Sequence, residues 1–269
     1  MERVAATLTL PGVRALHLPA HREPVTKDAE FGVLELEDGS CGFTYVWLGD
    51  TLGEIRRRAF ANTVARRPLM ELTRDYASPD PATRALGMAA INAVSQHLFR
   101  RARWAPEDAG DSLGNLDPRP GMHIGMVGFF PPLVPLVVAS GARLTVLELK
   151  ADLAGEGEGY RVTLDPAELA ACDRVISTST VLLNDTLDAV LAACGRAQYL
   201  ALIGPTAGCL PDPLFRRGVQ MLGGAQVTDL KGFLAAFHAG ESWGRFTRKY
   251  AVRRDAYPGA DWLLSRAGA

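Results

Sequence analysis

The sequence is sparing with cysteine, with excess charge of either sign and with long apolar runs. Its four cysteines, Cys41, Cys172, Cys194 and Cys209, lie far apart and form no C-x-x-C pair. That pattern fits reduced thiols better than a disulfide framework. The formal net charge is −1, so the chain as a whole offers no field for nucleic acid or an anionic membrane. Arginine runs at 56–58 and 66–67 fall in a helical pattern and read as solvated faces. The longest apolar run, 131–139, is interrupted by Pro135 and is too short to span a bilayer. No apolar leader or A-x-A site follows Glu2 and Arg3, so a cytoplasmic location is expected. There is no G-x-G-x-x-G, P-loop, G-x-S-x-G or H-E-x-x-H. The five histidines, His17, His21, His97, His123 and His238, are scattered without the spacing of a zinc site. His17 and His21 are four apart, but nearby prolines oppose a helical pair.

What is present is enough chain for two domains: 269 residues, 48% of them apolar. At this size about 75% of the unfolded surface can be buried without a staple. The first hundred residues read as strands followed by helices. Val4 to Leu10 is a candidate strand. Residues 31–47 hold two apolar runs around Asp38-Gly39, a hairpin signal. Asp50 can cap a helix over 51–66, and a short helix is expected over 69–76. After the break Ser78-Pro79-Asp80-Pro81, residues 81–101 repeat Leu86, Ala90, Ala93, Val94 and Leu98 at helical spacing. This pattern predicts a small α+β domain over 1–104. Residues 105–121, rich in Pro, Gly and Asp, read as a linker.

From 122 the pattern alternates strand and helix. Strands are expected over 123–130, 143–149, 174–180, 197–205 and 225–229, and helices over 131–141, 165–172, 184–195, 212–218 and 229–240. The expected fold is therefore α/β: a Rossmann-like open parallel sheet over 122–269, with a C-terminal extension, preceded by the small α+β domain. Such sheets bind ligands beyond the carboxyl ends of their strands, where the crossovers diverge. Gly128, Phe129 and Phe130 follow the first strand. Glu148 ends the second, twenty residues on, where a carboxylate can accept from a ribose diol; a solvated strand end is an equal reading. Thr178, Thr180 and Asn184 either cap a helix or hold a polar ligand. Pro205, Thr206, Cys209 and Asp212 lie in the fourth strand-end loop, and Asp229 follows the fifth. The loop VGFFPP has one glycine and two prolines without N–H donors, so a pyrophosphate cradle is not expected.

The stretches RALGMAAINA, MVGFFPPLV, ISTSTVLLNDTLD and LIGPTAGCLPDPLFRRGVQMLGGAQVTD resemble a bacterial and archaeal family labelled putative heavy-metal chelation, long a domain of unknown function. The resemblance covers most of 30–240. It implies an enolase N-terminal-like domain joined to a Rossmann-like domain, with the site in the cleft between them. Its motif residues fall here at Gly87, Asn92, Gly128, Phe130, Pro131, Thr180, Asn184, Thr186, Gly204, Pro205, Pro211, Gly223, Gly224 and Asp229. Asn92, an amide in the apolar stretch AAINAV, either reaches the cleft or makes an interdomain hydrogen bond. Ser179 stands where a family member would have glycine.

Three functions compete. The first is binding of a small ligand in the cleft, a transition metal or a metal chelate, in metal homeostasis or uptake, with Cys209 and Asp212 as candidate metal ligands. The second is an enzyme using a nucleoside-type ligand, similar to Rossmann methyltransferases, through Gly128 and Glu148; no catalytic residue is identified for it. The third is a homo-oligomeric scaffold whose interface uses the aromatic residues of 241–269.

Overall fold

The computed structural model describes residues 1–20 and 27–268; His21 lies outside them. Among the described residues the helices are α1 (Glu2–Thr7), α2 (Thr51–Arg57), α3 (Phe60–Thr63), α4 (Leu69–Arg74), α5 (Pro81–Arg101), α6 (Val134–Ala139), α7 (Leu187–Ala193), α8 (Asp212–Phe215), α9 (Leu230–Ala239) and α10 (Ala260–Ala267). The strands of the first half are β1 (Val13–His17), β2 (Phe31–Leu36), β3 (Cys41–Tyr45) and β4 (Glu107–Asp108). Those of the second are β5 (His123–Val127), β6 (Arg143–Leu147), β7 (Gly155–Gly157), β8 (Tyr160–Thr163), β9 (Arg174–Thr178), β10 (Tyr199–Ile203), β11 (Met221–Val227) and β12 (Thr247–Arg253).

Two sheets result, a small antiparallel one ordered β1-β2-β3 and a large one ordered β4-β12-β11-β10-β9-β5-β6-β8-β7. Within the large sheet β11, β10, β9, β5, β6 and β8 run parallel. β12, β4 and β7 join its edges antiparallel. The mixed α/β class expected from the sequence is the one observed.

Alternation along the central strands explains their continuous apolar runs. Ile124 and Met126 of β5, Leu144 and Val146 of β6 and Ile176 of β9 pack with α6 on one face. Val175 of β9, Leu200 and Leu202 of β10 and Leu222 of β11 pack with Leu169, Val190 and Phe215 on the other. A sheet covered on both faces needs apolar side chains on both.

The small sheet is enclosed in the same way. Leu34 and Leu36 face the core around α5. Val33, Cys41 and Phe43 face α9, meeting Phe233, Ala236 and Phe237. α5 opens on Asp80, whose carboxylate accepts the Thr83 amide, with Pro81 in the first turn, a pairing that satisfies an orphan N–H while losing none. Gly42 lets α5 approach β3 closely: a Cβ there would lie 2.0 Å from Ala89 O and 2.3 Å from Ala93 N. The hairpin turn is held by Asp38, whose carboxylate accepts from His97 Nδ1 at 2.8 Å and from the Ser40 amide and hydroxyl. Burial alone would raise the Asp38 carboxyl, but these hydrogen bonds outweigh it and bring it down to about 2.

Several expectations are corrected. Of the strand expected over 4–10, residues 4–7 belong to helix α1, and the first strand starts at Val13; Val4 is the buried residue of α1. The helix expected over 51–66 breaks at Ala59, whose φ is +52°. Residues 105–121 are not a free linker: Glu107 and Asp108 extend the large sheet, and Leu116 is fully buried beneath β5 and β6. β7 and β8 were not foreseen, and β8 lengthens the parallel set. The extension 241–269 supplies β12 to the sheet and α10, whose Leu263, Leu264 and Ala267 join the α5 core. Trp243 and Tyr250 are buried within this chain, whereas Trp262 of α10 stays 41% exposed, so of the aromatics on which the scaffold reading relied two are spent on the core.

Two outcomes follow. Gly42→Ala should destabilise the protein by about 3 kcal/mol, because two backbones must separate to admit the methyl; urea unfolding reads this, and an unchanged midpoint would refute the close approach. Asp38 has a native pKa below its ordinary 3.8, so its contribution is complete above that value and is lost as pH falls toward about 2. Asp38→Asn should therefore melt lower than the parent at neutral pH, with the gap closing between those two values. A gap of constant size down to the lower value would refute the assignment.

Candidate functional site

The crossovers reverse direction at β5. From β5 the chain passes to β6 on one side, then returns to β9 on the other. Strand ends diverge there and leave a crevice. Gly128 turns the chain at the end of β5 with φ +82°, and a Cβ would sit 3.0 Å from Thr178 Cγ2 at the end of β9. Next along the sheet, a Cβ on Gly204 (φ +133°) would lie 2.3 Å from Ser179 Oγ. The loops after β5, β9 and β10 are thus brought together edge to edge by glycines.

Above these strand ends a cleft of about 1280 Å³ opens. Its floor carries Thr178, Ser179, Thr180, Asn184 and Pro205; Gly128, Phe129, Phe130 and Glu148 form one flank. The small sheet contributes Glu30, Phe31, Tyr45 and Trp47, and the segment read as a linker contributes residues 109–115 except Leu113. Among the described residues Lys150 and Lys249 are its cations.

The polar groups are individually placed. Glu148 folds back on its own loop: Oε2 accepts the Phe129 amide at 2.9 Å, and Oε1 accepts the Leu149 and Lys150 amides. Three of roughly four acceptor positions are therefore taken. Thr178 Oγ1 receives the Thr180 amide and pairs with the Thr180 hydroxyl at 3.1 Å. Asn184, which lines the cleft, accepts from the amide and hydroxyl of Thr186 through Oδ1. Ser179 is 2% exposed. Phe129 stacks on Tyr160 at 5.9 Å. Burial, reinforced by Glu30 and Glu148, pushes the Tyr45 phenol up to about 12, so it is a neutral donor at physiological pH.

Other residues anticipated from the sequence lie elsewhere. Asn92 is 1% exposed; its Nδ2 donates to Phe43 O at 2.7 Å and Thr206 O at 2.8 Å. It joins α5, β3 and the strand-end loop beneath the cleft. Thr206, fully buried, accepts the Tyr45 amide through Oγ1 at 3.0 Å. Both fix the cleft without lining it. Asp229 caps α9 by accepting the Gly232 amide. Asp212 accepts from the Tyr257 hydroxyl and the Ala260 amide, and burial pushes the Cys209 thiol up to about 12. Among the described residues neither Asp212 nor Cys209 belongs to a group of three or more His, Cys, Asp or Glu side chains that could hold an ion. Sequence reasoning missed Tyr45, Trp47, Lys150 and Lys249. Tyr45 and Trp47 end the predicted hairpin, a signal that was available; Lys249 lies on an unforeseen strand.

Two more contacts hold the halves in register. Tyr76 donates to Leu182 O at 2.7 Å, and Arg84 Nη1 reaches Leu183 O and Asp185 Oδ1. These grip the loop that presents Asn184.

Fold and site together define a two-sheet α/β protein with a cleft at the carboxyl ends of its parallel strands. Residues 111–254 match the family described as putative heavy-metal chelation, and residues 29–95 match a second with the same description. The chain belongs to that family. A protein of Methanocaldococcus jannaschii carried as uncharacterised is 34% identical over 155 residues, 56% of this chain and 57% of that protein. The match thus spans little more than half of that relative. Two solved structures of family members with unknown function share the fold. One, from Desulfitobacterium hafniense, has a TM-score of 0.71 at 20% identity. The other, from Pyrococcus horikoshii, has 0.67 at 22%. Each pairing covers 94% of this chain and 96% of the other. No helix among the described residues is long and apolar enough to cross a membrane.

The family description invites a test of the cleft as a metal centre. Among the described residues no three His, Cys, Asp or Glu side chains are grouped to hold an ion, and no described histidine or cysteine lines the cleft. Soft and borderline metals are held by imidazole and thiolate, so the cleft residues do not fit a bare heavy-metal ion.

Asn92→Ala should cost about 2–4 kcal/mol, because two buried carbonyls lose their donor. Urea unfolding checks this; a loss no larger than that of an ordinary surface substitution would contradict the bridging role.

Proposed function

We propose that this protein binds a small organic ligand in the cleft, with a transition-metal chelate as the form in which a heavy metal is carried, in metal homeostasis or uptake. The observation that supports this most is the composition of the cleft. Aromatic and apolar walls enclose hydroxyl and amide groups at the strand ends, and no imidazole or thiol lines the cleft among the described residues. Such a surface recognises the organic shell of a chelate, and the metal keeps its ligands. Tyr45, Asn184 and Ser179 supply neutral hydrogen-bond groups, and Phe129 and Phe130 supply flat apolar area. Pockets of this kind, largely apolar with few convergent polar groups, are the usual form of small-molecule sites. Among the described residues the lining carries the carboxylates Glu30, Asp111 and Glu148 and the ammonium groups Lys150 and Lys249.

A second reading, an enzyme using a nucleoside-type ligand, draws support from Glu148, which ends β6 beside the switch point. It is weakened because three backbone amides already occupy that carboxylate.

Native mass spectrometry of protein purified without chelator or affinity metal separates these readings. The expected result is a retained organic mass, with or without a metal, that Phe129→Ala and Asn184→Leu each lose. A retained nucleoside, or thermal stabilisation by S-adenosylmethionine that Glu148→Ala abolishes, would replace the first reading by the second. A bare mass together with no thermal shift from any chelate or nucleoside would remove both.

A further inference from the structure

Away from the cleft, the edge of the small sheet brings together groups that the ligand-binding reading does not use. His17 ends β1 and lies opposite Val33 of β2, which faces α9. His238 lies in the last turn of α9. We propose that these two imidazoles form a solvent-open site for a borderline divalent cation, copper(II), zinc(II) or nickel(II), through His17 Nδ1 and His238 Nε2.

The two nitrogens are 3.1 Å apart, with ring planes inclined at 50°. With metal–nitrogen bonds of 2.0–2.1 Å, that separation subtends about 98° at a shared ion, between square or octahedral and tetrahedral coordination. The proton positions suit the same purpose. Glu35 is 4% exposed and places Oε2 2.8 Å from His17 Nε2. A carboxylate only accepts, so His17 carries its proton on Nε2 and turns the lone pair of Nδ1 toward His238. Arg14 Nε holds the other Glu35 oxygen at 3.1 Å. Metal-bound imidazoles characteristically give their remote N–H to such a carboxylate, which fixes the tautomer and raises ligand basicity. Glu35 is thus a positioning residue.

His238 is exposed, and its other nitrogen is free to carry the proton, releasing Nε2 for the ion. Solvent fills the remaining positions. Without an ion, the same pair makes one imidazole–imidazole hydrogen bond. With one, the ion ties β1 to α9, the helix that roofs the small sheet beside the cleft. Imidazole donors select copper, nickel and zinc over magnesium and calcium, which prefer oxygen.

The test uses the full chain, freed of metal by EDTA and dialysed, then titrated with copper(II) chloride under electron paramagnetic resonance and with zinc(II) chloride in a calorimeter. One equivalent of copper(II) showing hyperfine coupling to two imidazole nitrogens is expected. His238→Ala should lose one of those nitrogens and weaken binding about tenfold or more. Glu35→Gln should weaken it by about ten- to a hundredfold while both nitrogens stay bound. His238 is exposed, so its truncation opens no cavity and the variant folds. No binding of either ion at micromolar concentration, or a His238→Ala protein with unchanged affinity and unchanged nitrogen coupling, overturns the site. Native masses of the same variants are recorded in parallel, so that loss of the ion and loss of a cleft ligand are read separately.

Discussion

An amide in the middle of an apolar helix governs how this molecule is put together. Asn92 sits on α5 among alanines, valine and leucine, and its two N–H donors reach the carbonyls of Phe43 and Thr206. Thr206 in turn takes the Tyr45 amide. Burying these groups unpaired would cost several times the net value of an ordinary hydrogen bond. The helix, the last strand of the small sheet and the strand-end loop of the large sheet are therefore locked in one register. Tyr45 is carried over the ends of β9 and β10 by this lock.

The same economy shapes the cleft. Polar side chains that a sequence reading assigns to a ligand are partly spent on the scaffold: Thr206 on β3, Asp229 on α9, Asp212 on Tyr257, and Glu148 on three amides of its own loop. Tyr45, Asn184, Lys150 and Lys249 are among the polar residues left in the lining, with Ser179 pressed close to Gly204. Aromatic faces supply area, and the donors supply direction. On the function proposed above, this surface would discriminate the shape and hydrogen-bonding edge of an organic molecule. Imidazole, which would discriminate an ion, is displaced to the outer face, where His17 and His238 meet over Glu35.

Much of the architecture was legible beforehand. The hairpin around Asp38-Gly39 follows from a glycine at φ +84°, and α5 follows from Asp80-Pro81 and its helical apolar repeat. The five principal parallel strands follow from short apolar runs between turn residues. The cleft residues Gly128, Phe129, Phe130, Glu148, Thr178, Thr180, Asn184 and Pro205 follow from the rule that ligands meet strand ends. What escaped were elements whose patterns are weak in isolation. β8 is four residues and β4 two; each exists because a neighbouring strand offers unpaired amides, a fact of the sheet and not of the segment. α1 looked like a strand because valine and leucine suit both, and only the position of the neighbouring core decides.

By itself, the sequence determined the class of fold, the order of the central elements and the set of loops that could meet a ligand. These depend on local periodicity, caps and turn residues, which act over a few neighbours. Only the tertiary structure decided which polar groups remain available. Asn92 and Asn184 are the same residue type in similarly suggestive contexts, yet one is buried against two distant carbonyls and the other lines the cleft. Hydrogen-bond satisfaction is settled by partners 49 and 114 residues away, and no local pattern encodes them.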